Sequence, residues 1–194
     1  MRQVHGASVV VHRAGSALAA SRADADIIVT DDGTVALAIQ TADCVPLLLA
    51  DTRTGSVGAA HAGWRGLAAG VPSIAVRALT HAFGSRPEDL VAAIGPSISA
   101  ERYEVGGDVR ARFAAKPFST PDLEQWFAPA DRPDHWFFDG WESTSAQLVS
   151  AGVHPDRVHL AALCTATHPD LLCSYRRDGE GAGRMAAVIR AAQR

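Results

Sequence analysis

Three apolar runs with the composition of β-strands follow one another between residues 34 and 63, and they constrain the fold more than any other feature. "TVALAIQ" and "VPLLLAD" are separated by "TADC", and the turn-forming "DTRTG" leads into "SVGAAHAG". Apolar runs joined by a short polar turn with glycine are typical of an antiparallel hairpin. The sequence therefore predicts a sheet built around this segment.

Further strands and helices alternate irregularly along the rest of the chain. Strand composition recurs in "VHGASVVVH", "ADADIIVTDDG", "DLVAAIGP" and "DRVHLAALC". Apolar spacing predicts one helix from Leu67 to Phe83, a second in "GGDVRARFAA" and a third in "ESTSAQLVSAGV", ending at Gly152. We expect "PFSTPDLEQWFAPADRPDHW" to be a surface excursion. We expect "LLCSYRRDGEGAGRMAAVIRAAQ" to form two strands joined by a glycine-rich turn.

This irregular alternation predicts an α/β fold of the mixed α+β kind, with helices outside mixed sheets. The chain has 194 residues, of which 47% are hydrophobic, so residues 1–194 are expected to form one domain whose core needs no disulfide. Its net charge of −3 gives no global attraction to nucleic acid or to an anionic membrane. An anion site must therefore be a local cluster of arginines.

The cysteine content indicates a redox compartment. The chain contains three cysteines, an odd number, and its opening residues do not have the pattern of a secretory signal. This combination favours reduced thiols in the cytoplasm, where each cysteine is a potential ligand or nucleophile. No apolar run approaches the length of about 18 residues that a transmembrane helix needs.

Three residues near glycine or at strand ends are the main chemical candidates. Cys44 lies between two predicted strands and precedes Pro46, which interrupts a regular ladder. His61 ends a strand and opens "HAGWRG", and His5 lies in "QVHG". Each has a plainer interpretation, because a free cysteine is often a small buried hydrophobe and a histidine near a terminus is usually exposed.

Together, the thiolate of Cys44 and the imidazoles of His5 and His61 suit a tetrahedral Zn²⁺ whose fourth position is open to water or substrate. Copper is the alternative metal. Asp43, adjacent to the thiolate, is the natural partner for orienting that ligand or for proton transfer. A site spread this widely along the chain would be assembled only by the fold.

Two other interpretations of these residues remain open. Cys44 with His61 as base would make a cysteine hydrolase, and a purely structural zinc would make a non-catalytic binding domain. The sequence lacks His-Glu-x-x-His, Cys-x-x-Cys and the motif of the usual zinc nucleobase deaminases. It also lacks the His-x-His pairs expected of a multicopper oxidase.

Arginines near the C-terminal glycine-rich turn are the candidate anion ligands. Arg176, Arg177 and Arg184 flank "DGEGAG", and Arg65 follows Trp64. Guanidinium groups bind phosphate through paired hydrogen bonds, so Arg65, Arg176 and Arg184 are expected to bind a phosphate. The plainer interpretation is a solvated hairpin.

Several motifs together resemble one protein family over essentially the whole chain. They are "QVHG", "TADCVPLLLAD", "AAHAGWRG", "IGPSIS" followed by "YEVG", "LCT" and "SYRRDGEGAGRMAAVIR". The chain resembles the laccase-domain proteins, first called multicopper polyphenol oxidoreductases and now associated with purine nucleoside phosphorylase activity. The resemblance implies a layered α/β/β/α sandwich with zinc held by His5, Cys44 and His61.

The resemblance also implies an activity. Family members phosphorolyse adenosine, inosine and methylthioadenosine and deaminate adenosine, a laccase activity belongs to the older name, and a relative is linked to peptidoglycan-precursor editing. We therefore expect a cytoplasmic zinc enzyme that acts on purine nucleosides and phosphate, with no nucleic-acid or membrane partner. The oligomeric state is left open.

The start of the chain carries a separate expectation. Relatives usually have further sequence, with a glycine-rich segment, before "QVHG", so this chain resembles a member that lacks that segment. We expect this difference to leave a sheet edge open and to affect one wall of the nucleoside pocket. Because "QVHGASVVVH" has strand composition, we expect it to pair inside the main sheet and to fix His5 through that pairing.

Overall fold

The structure, a computed structural model, describes residues 1–17 and 22–192. Within these ranges the strands are β1 (Val9–His12), β2 (Ile27–Thr30), β3 (Ala36–Thr41), β4 (Val45–Asp51), β5 (Val57–Ala62), β6 (Leu90–Ile94), β7 (Glu104–Gly106), β8 (Phe127–Pro129), β9 (His135–Phe138), β10 (Val158–Leu160) and β11 (Met185–Arg190). The α-helices are α1 (Trp64–Ala68), α2 (Val71–Phe83), α3 (Gly107–Ala114), α4 (Thr120–Trp126), α5 (Gly140–Ser150) and α6 (Tyr175–Asp178).

The predicted hairpin is the centre of a six-stranded mixed sheet. Its strand order is β1-β2-β5-β4-β6-β10, and β4 pairs antiparallel with β5 through the turn at residues 52–55. The edge strands β1 and β10 run parallel to β2 and β6, respectively. The four central strands, β2, β5, β4 and β6, are each antiparallel to the next. The apolar runs on either side of "DTRTG" predicted this hairpin, and it is confirmed.

Layers form on both faces of this sheet. Helix α2 packs on β5 and β2, and α5 packs beside α2. On the opposite face β3 and β11 form an antiparallel pair, and Leu37 and Ile39 from it pack with Val57 and Ala59 of β5. Among the described residues, a three-stranded sheet, β7-β9-β8, is not hydrogen-bonded to the other two, but its residues Val105, Phe127 and Phe138 belong to the same hydrophobic core as the central sheet. The predicted mixed α+β class with layered sheets is confirmed.

The helix predicted from Leu67 to Phe83 is divided in two. Helix α1 ends at Ala68, and α2 begins at Val71 after Gly70, which has a φ of 84°. Pro72 explains the break, because proline lacks the N–H that a helix interior needs but fits the first turn. The amphipathic face of α2 still buries Val71 and its helical neighbours against the sheet.

The segment 117–136 is not the surface excursion that its prolines predicted. It contains α4 and β8 and runs into β9, and Trp126 and Phe127 are 2% and 3% exposed. Helix α4 forms because the Ser119 hydroxyl accepts from the backbone N–H of Asp122 while the Asp122 carboxylate accepts from Ser119. The aromatic rings then pack around Phe113 in the core, which is why the segment folds inward.

The C-terminal run was also predicted wrongly, because only its second half is a strand. Its first half forms α6, whose first turn is capped by the Ser174 hydroxyl, followed by a 3₁₀ turn at Gly179–Gly181. Strand β11 then pairs antiparallel with β3. Gln193, the last residue of the predicted run, lies outside the described residues. None of the described helices is long and apolar enough to cross a membrane.

Candidate functional site

The three predicted donor residues converge in space. Cys44 immediately precedes β4, His61 lies in β5 opposite Pro46, and His5 lies in the loop before β1. One ligand atom from each lies within 4.8 Å of the other two. We call this group the metal side of the site. The antiparallel register of β4 and β5 explains the proximity of Cys44 and His61.

His61 is oriented by a buried carboxylate that sequence reasoning missed. Asp26, which precedes β2, is 0% exposed, and its Oδ1 atom lies 2.7 Å from Nδ1 of His61. Burial alone would raise the pKa of Asp26, but the hydrogen bonds that it accepts from His61 and two backbone N–H groups lower it. Burial and the neighbouring His5 lower the pKa of His61 more than Asp26 raises it, so its imidazole is neutral at neutral pH.

His5 is held differently from the way its sequence predicted. Strand β1 pairs with β2 in the main sheet, as predicted, but it begins only at Val9 and lies at the edge, so ladder pairing does not fix His5. Instead, the side-chain amide of Gln3 pairs with the backbone of Gln40 in β3, at 2.8 and 2.9 Å. The backbone N–H of His5 donates to Asp26, and His5 has a φ of 58°, a left-handed conformation that costs about 1–2 kcal/mol outside glycine.

Cys44 lies against a glycine whose missing side chain makes room for it. A Cβ atom on Gly63 would lie 2.8 Å from the Cys44 sulfur and 3.2 Å from Cδ2 of His5. Gly63 has a φ of −72°, so space rather than backbone conformation requires glycine here. Burial, followed by the negative charges of Asp43 and Asp26, raises the pKa of the Cys44 thiol to about 12.

The metal side fits a tetrahedral zinc ion on two grounds. One sulfur and two imidazole nitrogens are preferred zinc donors. Usual zinc–ligand lengths place such donor atoms roughly 3.3–3.6 Å apart. This spacing is compatible with donor atoms that all lie within 4.8 Å of one another. The neighbouring carboxylate of Asp26 on a ligand histidine is the support usually found behind metal-binding imidazoles. A buried thiol with a high pKa is deprotonated when a metal coordinates it.

Asp43, the predicted partner of the thiolate, is buried and has both carboxylate oxygens engaged. The Thr165 hydroxyl donates to its Oδ1 atom, and the backbone N–H of Arg176 donates to Oδ2 at 2.6 Å. Asp43 has a φ of 82° and, through its carbonyl, accepts the backbone N–H of Ile98. It thus joins the strand end that carries Cys44 to helix α6.

A cavity of about 1150 Å³ opens beside the metal side. His5, Cys44 and His61 contribute to its lining, and so do all three predicted anion ligands, Arg65, Arg176 and Arg184. We call these three arginines the arginine side. The structure therefore brings together two groups of residues that the sequence placed far apart.

The arginines are positioned but remain exposed. Arg65 stacks on Trp64, with its guanidinium carbon 4.3 Å from the ring centroid. Arg176 donates to the carbonyl of Glu104 at 3.1 Å and lies 5.2 Å from the Tyr103 ring centroid. Arg184 donates to nearby backbone carbonyls of its own turn. Each guanidinium keeps a surface toward the cavity.

Two neighbours of these arginines behave differently. Arg177, also in the glycine-rich motif, pairs with Asp178 and donates to the carbonyls of Thr165 and Leu172, so its contacts are structural. Tyr103 lines the cavity, and burial raises the pKa of its phenol well above the ordinary value. Its hydroxyl is therefore protonated at neutral pH.

The roles of Asp26, Gly63 and Tyr103 in the site were not predicted from the sequence. The one signal for Asp26 was a carboxylate directly before a fully apolar strand, and the one for Gly63 was a glycine in a histidine motif. Tyr103 carried no signal apart from its place before "EVG".

Comparison with known proteins identifies relatives over almost the whole chain. Residues 1–192 match the family described as multi-copper polyphenol oxidoreductase laccase. The chain is 41% identical over 189 residues to a protein of Deinococcus radiodurans named purine nucleoside phosphorylase, covering 97% of this chain and 68% of that protein. It is 37% identical over 164 residues to a protein of the same name from Bacteroides thetaiotaomicron, covering 84% of this chain and 60% of that protein.

A solved structure has the same fold. The crystal structure of the Bacillus licheniformis hypothetical protein YfiH matches with a TM-score of 0.87 at 29% identity, covering 98% of this chain and 72% of that one. The chain thus spans between 60% and 72% of the length of these relatives.

Proposed function

The chain belongs to the multi-copper polyphenol oxidoreductase laccase family, and we propose that it is a zinc-dependent purine nucleoside phosphorylase that also deaminates adenosine. The names of its relatives support the phosphorylase activity. One observation carries the proposal: three metal donors and three arginines line a single cavity large enough for a nucleoside and a phosphate. Adenosine, inosine and methylthioadenosine are the proposed substrates.

Phosphorolysis requires an anion to be held against a sugar. A phosphate oxygen forms a bond to ribose C1′ while the bond from C1′ to the purine nitrogen breaks, giving ribose 1-phosphate and the free base. Arg65, Arg176 and Arg184 supply the positive charge that binds and orients the phosphate. The carbonyls that accept from Arg176 and the ring beneath Arg65 hold these groups in place.

The departing purine takes the electron pair of the broken bond together with the proton that hydrogen phosphate gives up when its oxygen bonds to C1′, so the base leaves neutral. Tyr103 lines the cavity with a protonated phenol, and we propose that it donates a hydrogen bond to the base. Ile98, Val105 and Val109 line the same cavity and offer an apolar surface to the purine ring.

His5, Cys44 and His61 would hold the zinc ion. A bound zinc ion supplies a Lewis acid that activates water for deamination. Both oxygens of Asp43 are engaged by Thr165 and Arg176, so we propose that it positions Cys44 and the arginine side and does not carry protons.

A second candidate, a cysteine hydrolase, is favoured by one observation. In space, Asp26 contacts His61, and His61 lies near Cys44, which is the arrangement of an acid–base–nucleophile triad. A thiol whose pKa is about 12 is a poor nucleophile near neutral pH without further activation, and this candidate leaves His5 unexplained.

One assay separates these candidates. Protein with measured metal content is incubated with adenosine, with and without phosphate, and adenine, ribose 1-phosphate and inosine are quantified. The proposal predicts adenine and ribose 1-phosphate only with phosphate, inosine without it, and loss of both after chelation. Absence of both reactions in zinc-loaded protein contradicts the proposal, and a trapped covalent adduct on Cys44 identifies the hydrolase.

The metal and the remaining alternatives are tested beside it. Elemental analysis after gentle purification should find about one zinc per chain, whereas copper with oxidation of a phenol would identify the laccase alternative. Zinc with no turnover of any nucleoside would identify a structural metal. The cytoplasmic location and the lack of a nucleic-acid or membrane partner remain predictions from composition.

A further inference from the structure

One buried carboxylate lies beneath both histidines of the metal side. Oδ1 of Asp26 lies 2.7 Å from Nδ1 of His61 and accepts the backbone N–H of His5 at 3.0 Å. Its Oδ2 atom accepts the N–H groups of Val4 and Gly6, at 3.2 and 2.6 Å. Because Asp26 is 0% exposed, no water competes for these contacts.

The contact with His61 selects one form of its imidazole. When Nδ1–H donates to a carboxylate, the lone pair is left on Nε2, the only other ring nitrogen. The backbone N–H of His61 also donates to the carbonyl of Asp26, at 2.8 Å. His61 is therefore held by Asp26 both at its ring and at its backbone, and Nε2 is left available to a metal ion.

The contact with His5 works through the backbone alone. Three successive N–H groups, from Val4 to Gly6, converge on the carboxylate, which requires the left-handed conformation of His5 between them. Such a concave arrangement of N–H groups binds anions, and here the anion is Asp26. Without the negative charge, these N–H groups lose their partner and His5 loses the reason for its conformation.

We propose that Asp26 is the positioning residue that assembles both histidine ligands before a metal ion arrives. This inference rests on the proposed metal site and assigns it a determinant outside the three donor residues. Asp26 is not among the residues that line the cavity. It sets the form of the His61 imidazole and the backbone conformation of His5.

The substitution Asp26→Asn tests the inference at nearly unchanged volume. An amide nitrogen facing His61 can only donate, so Nδ1 must accept and the proton moves to Nε2, where it blocks the metal. An amide nitrogen turned the other way faces the N–H groups of Val4 and Gly6, donor against donor. Neither orientation reproduces the contacts of the carboxylate.

A matched control lies at the other end of the same strand. Asp32 follows β2, is 7% exposed, lies 3.1 Å from Nε2 of His12 and accepts the backbone N–H of Thr34. Asp32→Asn therefore removes a buried carboxylate from a histidine without touching the metal side. Any general effect of such a change on folding appears in both variants.

Two measurements give the result. Imidazole-nitrogen NMR of metal-free protein should find the proton of His61 on Nδ1 in the unmodified protein and in Asp32→Asn, and on Nε2 or exchanging in Asp26→Asn. Competition against a zinc chelator should give a dissociation constant about 10- to 100-fold higher for Asp26→Asn and unchanged for Asp32→Asn.

The outcomes distinguish failure of the role assigned to Asp26 from failure of the proposed zinc site. A proton on Nε2 in the unmodified protein overturns the inference, even if Asp26→Asn does not fold. Equal zinc affinity in folded Asp26→Asn and the unmodified protein overturns it while the proposed function stands. If the unmodified protein binds no zinc, the proposed metal site fails together with the ligand-assembly role.

Discussion

The metal side of the cavity is held by more hydrogen bonds and is more deeply buried than the arginine side. On the metal side, His61 is 3% exposed, and its supporting carboxylate, Asp26, accepts four hydrogen bonds. On the arginine side, the guanidinium groups are exposed, and Asp43 holds only the backbone of Arg176. A metal ion tolerates errors of only about 0.2 Å in ligand position, whereas screened charges act over several ångströms. Each side therefore has the rigidity that its proposed ligand would require.

The largest effect is expected from Cys44→Ala on the metal side. Removing the sulfur leaves two nitrogen donors, so we expect loss of bound zinc together with loss of phosphorolysis and deamination. Metal analysis and the two assays on one preparation measure this. Lost activity with zinc retained would instead indicate a nucleophilic cysteine, and full activity would contradict both interpretations.

A smaller effect is expected from filling the space beside Cys44. In Gly63→Ala the added Cβ would lie 2.8 Å from the sulfur, so Cys44 must shift. We expect zinc affinity to fall roughly tenfold, the lower end of what altered ligand support costs. Gly181→Ala is the control, since a Cβ there meets nothing within 4 Å. Equal affinity in both variants would show that the metal side is less rigid than described.

The pH dependence of zinc affinity should reveal whether Cys44 of the metal side binds as a thiolate. Zinc must displace the proton of Cys44, whose pKa is about 12, while the lowered pKa of His61 leaves that imidazole already neutral. Between about pH 7 and 9, zinc affinity should therefore rise about tenfold per pH unit, after correction for zinc hydrolysis. A flat profile in the unmodified protein would contradict a thiolate ligand.

The smallest effect is expected from the arginine side. Arg176→Ala or Arg184→Ala should raise the KM for phosphate roughly fivefold, because an exposed guanidinium contributes only about 1 kcal/mol. Deamination, which uses no phosphate, should change less. Arg177 lies in the same motif but donates to backbone carbonyls, so Arg177→Ala is the control and should leave the KM for phosphate unchanged. Equal loss of both reactions would assign Arg176 or Arg184 to the nucleoside or to the fold.

The sequence predicted those parts of the molecule that local pattern determines. The hairpin of β4 and β5 was predicted because its apolar runs are continuous, and Cys44, His5 and His61 because their residue types and neighbouring glycines are unusual. Helix α6 was missed because contacts from outside its sequence hold it, including one from Asp43, 133 residues from Arg176.

Asp26 shows the same limit at the site. Its role depends on three N–H groups from a loop 20 to 22 residues earlier and on a ring 35 residues later. A lone carboxylate before a strand usually faces solvent. Only the fold reveals that this one faces inward.

The unequal exposure of the three donor residues would give exchange of the proposed metal ion a direction. His5 is exposed, Cys44 is half-buried and His61 is buried. An ion bound as we propose would meet the loop histidine first and would leave toward the same side. A competing chelator would therefore have its first access at His5, and the more deeply placed Cys44 and His61 would be reached last.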